Sequence, residues 1–232
     1  MHNDSISTTI DNKTIIESSI NELSFNSTPI NIISAKRLFD IMGSLLVLVA
    51  FGWLYAIIAI AVKISSKGAV IYSHERIGLN EKPFTIYKFR TMYVDAEKNG
   101  PALSSENDPR VTSIGRFLRK THLDELPQFY NVLIGDMTII GTRPERQFYI
   151  DDLVKKAPYY KNLLKSKPGI TSWGQINYGY AENIEEMIER LHFDIFYINN
   201  MSFKMDVKIL FYTVILIVLG RDKHFSITNG FN

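Results

Sequence analysis

Residues 41–62 read IMGSLLVLVAFGWLYAIIAIAV, and from Ile41 to Val62 these 22 positions carry no charge. About 20 apolar residues are enough to cross the hydrocarbon of a bilayer. A core helix of a soluble protein ordinarily keeps a polar face over such a length, and this run has none. It therefore predicts a membrane-inserted segment. It is not a cleaved signal peptide, because a polar leader precedes it and no small-residue cleavage site closes it.

Lys36 and Arg37 enter the run, and Lys63 and Lys67 leave it. A spanning helix is expected to show an asymmetry of positive charge between its two flanks. Basic residues on both flanks are resolved if both ends lie on the cytoplasmic side and the helix dips in and returns. Gly52, in mid-run, is the natural place for the bend. A straight span stays open on these residues alone.

Outward from the run, residues 1–33 are rich in Ser, Thr, Asn and Ile and read as a mobile leader. Residues 34–67 form the membrane segment, 68–224 the main domain, and 225–232 a tail. Two short strands are expected at Ala69–Ser73 and Pro83–Phe89, around a turn at Gly78–Lys82. Asn99-Gly100-Pro101 through Asp108-Pro109 is a loop dense in breakers. Helical patterns follow at Ser113–Lys120, Glu125–Leu133 and Pro144–Lys156. Ala157–Lys167 mixes lysine with tyrosine and leucine, which suits either a helix in a headgroup layer or one packed on the core. Pro168–Asn177 reads as a turn leading into a short strand or loop, and Glu182–Asn199 as a helix. A second apolar run, Ile209–Gly220, is too short to span and reads as an interfacial or buried helix. The fold class is α/β, mostly helical with a few short strands.

Composition narrows the chemistry. A net charge of +2 provides no field for nucleic acid, and the absence of cysteine removes disulfides, thiolate metal sites and thiol nucleophiles. No GxGxxG, P-loop or paired-histidine metal motif occurs.

What remains is RKTHLDELPQFYN, residues 119–131, which sets Asp124 beside Glu125. Such a pair is ordinarily a solvated cap on a helix start. Here arginines and lysines collect among glycines and prolines: Arg76, Lys88, Arg90, Arg110, Arg119 and Arg143, the last followed by Pro144. Guanidinium forks take two oxygens of a phosphate, and small residues let the backbone approach. Given phosphates, one carboxylate can attack phosphorus while its neighbour holds a divalent cation. Mg²⁺ suits oxygen ligands and retained water.

These pieces resemble one family. KRLFD (36–40), ERIGLNEKPFTIYKFRTM (75–92), DPRVTSIGRFLRKTHLDELPQFYNVLIGDMTIIGTRPE (108–145), KPGITSWGQIN (167–177) and DIFYINNMSFKMDVKIL (194–210) occur in the order found in the bacterial sugar transferases, the monotopic phosphoglycosyl transferases. The resemblance implies a membrane enzyme of polysaccharide, capsule or glycoconjugate assembly. Its reaction converts a UDP-sugar and undecaprenyl phosphate into undecaprenyl-diphosphate-sugar and UMP. It implies Asp124 as the nucleophile of a covalent phosphosugar-aspartate and Glu125 as a Mg²⁺ ligand. Arg119 would hold phosphate oxygens, and Arg143 and Pro144 would seat the nucleotide. A re-entrant helix in the cytoplasmic (inner) membrane is implied too, with the catalytic domain and interfacial helices facing the cytoplasm and membrane lipid. A homodimer is kept open, since symmetric dimers are common.

Three positions depart from the family pattern. Gly52-Trp53 replaces the Ser-Pro at the helix bend, Gly68-Ala69 replaces a Gly-Pro, and Thr142-Arg143-Pro144 replaces Pro-Arg-Pro. Larger members carry several membrane helices ahead of this core, so the chain resembles a minimal catalytic form. GYAENIEEMIERLHFDIFYI (179–198) leans toward members using glucose or galactose. The competing readings are a metal-dependent glycosyltransferase releasing UDP, whose Asp-x-Asp element is missing, and a non-catalytic membrane assembly module.

Overall fold

The computed structural model describes residues 30–98, 100–105, 108–179 and 181–219. Most of the leader and all of the tail lie outside them. Helix α1 runs over Ile30–Ala50 and α2 over Gly52–Ser65, separated by the single non-helical residue Phe51. Their axes bend by 63° at that break, next to the expected Gly52. No single described helix is long and apolar enough to cross a membrane. The bent pair reaches that length and hydropathy only together.

The pair is two-faced. Leu46, Val49, Trp53, Ile60 and Ile64 are exposed, whereas Ile58 and Val62 are buried against Phe89 and Leu118. The first limb is fastened by charge to the body of the protein. Lys36 donates to Asp206 at 2.6 Å, and Arg37 donates to the carbonyls of Val132 and Leu133 at 2.6 and 2.8 Å. Asp40 accepts from the Ile139 amide at 2.9 Å. KRLFD is thus an anchor whose polar side chains all find partners in the domain.

Strands β1 (Ile71–Ile77) and β2 (Pro83–Phe89) form an antiparallel hairpin that pairs Ile71 with Phe89 and Ile77 with Pro83. The first strand lies slightly later in the chain than its propensity suggests, and a 3-10 turn at Leu79–Glu81 joins the two. Helix α3 (Ser113–Lys120) matches its sequence pattern, with Thr112 capping it by accepting from the Gly115 amide. Glu125–Leu133 does not form one helix. It divides into a 3-10 turn, Leu123–Glu125, and α4, Gln128–Ile134, because Pro127 has no N–H to continue a helix and suits its start.

A short strand β3 (Thr138–Ile140) pairs in parallel with β4 (Gly169–Thr171), and Gly141 and Gly169 bring the two backbones into contact. A Cβ at Gly169 would stand 2.1 Å from the Gly141 amide nitrogen, so no other residue fits. Helix α5 covers Gln147–Lys156, and its expected start at Pro144 is displaced because Arg146 is extended and the Glu145 carbonyl accepts from the Ile77 amide at 3.0 Å. Pro158–Lys165 is a 3-10 segment that buries Tyr160, Leu163 and Leu164. Of the two readings of that stretch, packing on the core holds.

Helices α6 (Trp173–Asn177), α7 (Ile184–Asn199) and α8 (Phe203–Leu219) complete the order. One core gathers Val132, Met137, Ile140, Trp173, Tyr197 and Ile209, and a second packs α5 and the 3-10 segment on α7. The class is α/β in the expected sense, mostly helical with short strands.

Candidate active site

Asp124 and Glu125 sit in the 3-10 turn between α3 and α4, 7% and 6% exposed. The solvated-cap reading fails on that burial. His122, immediately before the turn, adopts φ 54° and ψ 16°, the left-handed region that costs a β-carbon residue about 1–2 kcal/mol. That reversal lets the chain end α3 and re-enter a turn within two residues. Behind the turn, Asn131 acts as a strap. Its amide donates to the Thr85 carbonyl at 2.7 Å and its carbonyl accepts from the Tyr87 amide at 3.1 Å, tying α4 to β2. On the remaining side, the Tyr55 hydroxyl of α2 donates to the Leu126 carbonyl at 2.5 Å. The apolar limb therefore touches the residue next to the acidic pair.

The two carboxylates have different surroundings. Glu125 accepts from Lys88 at 2.5 Å, and Arg143 lies 4.0 Å away. Burial works against its charge, but Lys88, Arg143 and His122 outweigh burial and hold its carboxyl below the usual range. Asp124 keeps one carboxylate oxygen, Oδ1, buried and without a hydrogen-bond partner. Burial first, then the charge on Glu125, pushes its carboxyl up, against the pull of Lys88, His122 and Arg119. The turn thus holds one firmly ionised acid beside one buried carboxyl whose Oδ1 has no hydrogen-bond partner.

The other expected residues divide into two groups. Lys88 and Arg143 stand directly on Glu125. Arg119 leaves the last turn of α3 to donate to Thr91 at 2.9 Å and Ser104 at 2.6 Å, within the field of Asp124. Arg110 is committed elsewhere: it closes on Asp108 and the Leu103 carbonyl, and its hydrogen bonds hold the Asp108 carboxyl down at about 2. Arg90 donates to Ser66 at 2.7 Å, stitching β2 to the end of α2. Arg76 meets the carbonyl of buried Pro144 at 3.4 Å and the Glu145 carboxylate at 3.6 Å.

Sequence reasoning missed the residues that hold the Arg143 loop. Arg190 of α7 pairs with Glu145 at 2.6 Å. One turn along, Asp194 accepts from the Gly174 amide at 2.9 Å and also from Ser172 and the Arg143 amide. Arg190 and Asp194 interrupt the apolar positions Met187, Leu191 and Ile195 on the buried side of one helix. Charged residues four apart on an apolar face were the signal available.

Among the described residues no cluster of three or more His, Asp and Glu side chains could enclose a metal. Mg²⁺ does not require one, since it commonly takes one or two carboxylates and completes its shell with water and phosphate oxygens. The adjacent acids and the unpartnered Oδ1 of Asp124 fit that pattern.

Comparison with known proteins bears on most of the chain. A protein from Escherichia coli K12, UDP-glucose:undecaprenyl-phosphate glucose-1-phosphate transferase, is 43% identical over 181 residues, 77% of this chain and 39% of that protein. UDP-N-acetylgalactosamine-undecaprenyl-phosphate N-acetylgalactosaminephosphotransferase from Aeromonas hydrophila is 37% identical over 185 residues, 80% of this chain and 44% of that protein. The chain thus spans about two fifths of the length of these two curated relatives. Exopolysaccharide production protein ExoY of Sinorhizobium fredii is 36% identical over 205 residues, 82% of this chain and 88% of that protein. Residues 31–220 match the family model described as bacterial sugar transferase. With that match and this geometry, the chain belongs to the bacterial sugar transferase family.

Proposed function

We propose that the protein transfers a sugar 1-phosphate from a UDP-sugar to undecaprenyl phosphate at the cytoplasmic face of a bacterial inner membrane. UMP and undecaprenyl-diphosphate-sugar are the products. The observation that carries this reading is the buried Asp124 carboxylate. It has an oxygen without a hydrogen-bond partner, beside a Glu125 held ionised by Lys88 and against a broken apolar helix pair. The relatives' names supply the substrate classes.

In this reading an Asp124 oxygen attacks the phosphorus that bears the sugar. The bridging P–O bond of the diphosphate breaks, and UMP leaves with the bridging oxygen. The phosphate oxygen of the lipid then attacks the same phosphorus, the acyl-phosphate bond breaks, and the Asp124 carboxylate is regenerated. Arg119 and Arg143 hold phosphate oxygens, and Lys88 keeps Glu125 ionised. Glu125, with Asp124 beside it, would hold Mg²⁺, which supplies screening of phosphate charge when bound. The bent pair, with basic residues at both ends, enters and leaves the bilayer from one side, so a cytosolic donor and an inner-leaflet acceptor meet at one face.

The test is nucleotide release by purified protein with a panel of UDP-sugars and no lipid. A stoichiometric burst of UMP, with a matching mass increase on the peptide holding Asp124 and neither in Asp124→Asn, is the expected result. UMP only after lipid addition, with no adduct, would replace the covalent route by direct transfer. Release of UDP would make the protein a glycosyltransferase of another kind.

A further inference from the structure

Beyond Glu125, the wall of the site carries polar atoms that the reaction above does not use. On β1, Tyr72, His74 and Arg76 alternate with exposed residues and share one face, with the Tyr72 and His74 rings stacked at 6.0 Å. Arg146, 8% exposed, donates to the Tyr72 hydroxyl at 3.0 Å and pairs with Glu97 at 2.7 Å. Its Nη1 is nevertheless buried without a hydrogen-bond partner, and so are Nε of Arg76 and the hydroxyl of Tyr149. Tyr149 lies in the fields of Arg146, Glu97 and Arg76, and Arg76 in those of Arg143 and Arg146, so these groups form one cluster. Buried donors left unmade are costly and rare. Three of them among clustered guanidiniums point to an acceptor-only ligand with several oxygens, which describes a phosphate. Arg146 also occupies the N-cap of α5, where no side chain caps the helix and no acid lies in its first turn.

The position fits the site. Tyr72 is the cross-strand partner of Lys88, which holds Glu125. Cross-strand partners stand about 5 Å apart at their β-carbons. The cluster therefore begins one strand's width from Lys88, whose ammonium reaches Glu125.

We propose that Arg146, with Arg76 and the Tyr72 hydroxyl, is a further phosphate-binding subsite, and that the Glu97 carboxylate stands in for the substrate's phosphate in the free protein. The two partners differ in exposure. The Arg146 side chain is 9% exposed and anchored between β1 and α5, whereas Glu97 is 30% exposed in the turn segment that precedes the breaker-rich loop. The guanidinium is the fixed half and the carboxylate the exchangeable one. A dianionic phosphate brings more charge to the fork than Glu97 does, so substrate displaces the carboxylate. The phosphate belongs either to the nucleotide diphosphate or to the lipid acceptor. The inference rests on the reading that both substrates carry phosphate, and its test does not require turnover.

Binding of UDP and of undecaprenyl phosphate is measured separately on the full chain in nanodiscs, for wild type, Glu97→Gln, Arg146→Lys, Arg146→Met and the double variant Glu97→Gln/Arg146→Met. Glu97→Gln is expected to tighten one of the two ligands by about threefold, because its competitor is gone, and a gain in affinity cannot arise from misfolding. Arg146→Met is expected to weaken the same ligand by about tenfold or more, Arg146→Lys by less, and Glu97→Gln to add nothing in the Arg146→Met background. The ligand that responds identifies the phosphate. Wild-type binding that no variant changes, or Glu97→Gln weakening both ligands, overturns the subsite alone. Failure of the wild type to bind either ligand overturns the functional reading and the subsite with it.

Discussion

Glu145 and Arg190, 45 residues apart in the chain, meet at 2.6 Å with both side chains 7% exposed, and this contact ties the loop bearing Arg143 to the middle of α7. A buried pair that loses one member leaves an uncompensated charge, at a cost of about 3–5 kcal/mol. Glu145→Leu and Arg190→Leu should each lower the thermal midpoint sharply, and the double variant should recover part of the loss. A double-mutant cycle on denaturant midpoints measures this. Additive losses would show that the pair is not coupled.

Asp194 gives the fold a pH dependence of defined sign. Burial lifts its carboxyl from 3.8 to about 6, against the opposing pull of Arg190 and of the Gly174, Ser172 and Arg143 donors. The raised value means that between pH 4 and 6 the native state holds more protons than the unfolded chain. Stability therefore falls as pH rises through that window and levels off above it, by about 3 kcal/mol at most. Asp194→Asn should flatten this contribution. Unfolding midpoints of both proteins from pH 4 to 8 test it, and parallel profiles would contradict it.

Lys88 is the cation nearest Glu125, 2.5 Å away. Lys88→Met leaves a buried carboxylate with Arg143 as its nearest remaining guanidinium, so turnover should fall by about a hundredfold. Lys88→Arg should recover part of it by keeping the charge. A loss seen only in KM would assign Lys88 to substrate binding instead.

Chelation should silence transfer and added Mg²⁺ should restore it, because two adjacent buried acids can face a phosphate together only with their charge screened. Titration of EDTA-treated protein followed by UMP release provides the readout. Full activity after exhaustive chelation would remove Glu125 from metal binding.

The native sequence has no cysteine, which leaves a clean background for labelling. Ser34→Cys and Lys67→Cys, at the two ends of the bent pair, should react with an impermeant maleimide from the same side of sealed vesicles. Labelling from opposite sides would mean that the two limbs unbend into a span.

Much of this architecture was legible in the chain because it rests on local chemistry. The boundaries of β2 and α3 follow from alternation, a capping threonine and breakers, and the break in the apolar run falls beside its only mid-run glycine. The acidic pair and its neighbours Lys88 and Arg143 were also recognisable by residue type. What could not be read was assignment among like residues. Arg110 and Arg143 look alike in sequence, yet one folds onto Asp108 and the other faces Glu125. The 3-10 turn at Leu123–Glu125 was hidden because its entry is a left-handed His122, where no glycine marks the reversal in the sequence. Arg190 and Asp194 were readable only as anomalies, since their partners lie far away in the chain.

Lys36, Arg37 and Asp40 clamp one limb of the bent helix pair to the body, and Tyr55 clamps the other beside the acidic turn. A rod held on both sides of its elbow cannot swivel. The elevation of Asp124 above the elbow is therefore a fixed dimension of the molecule, like the stop on a drill. With the pair seated in a bilayer as proposed above, bilayer thickness and the crowding of headgroups become the external variables that set the depth at which Asp124 stands.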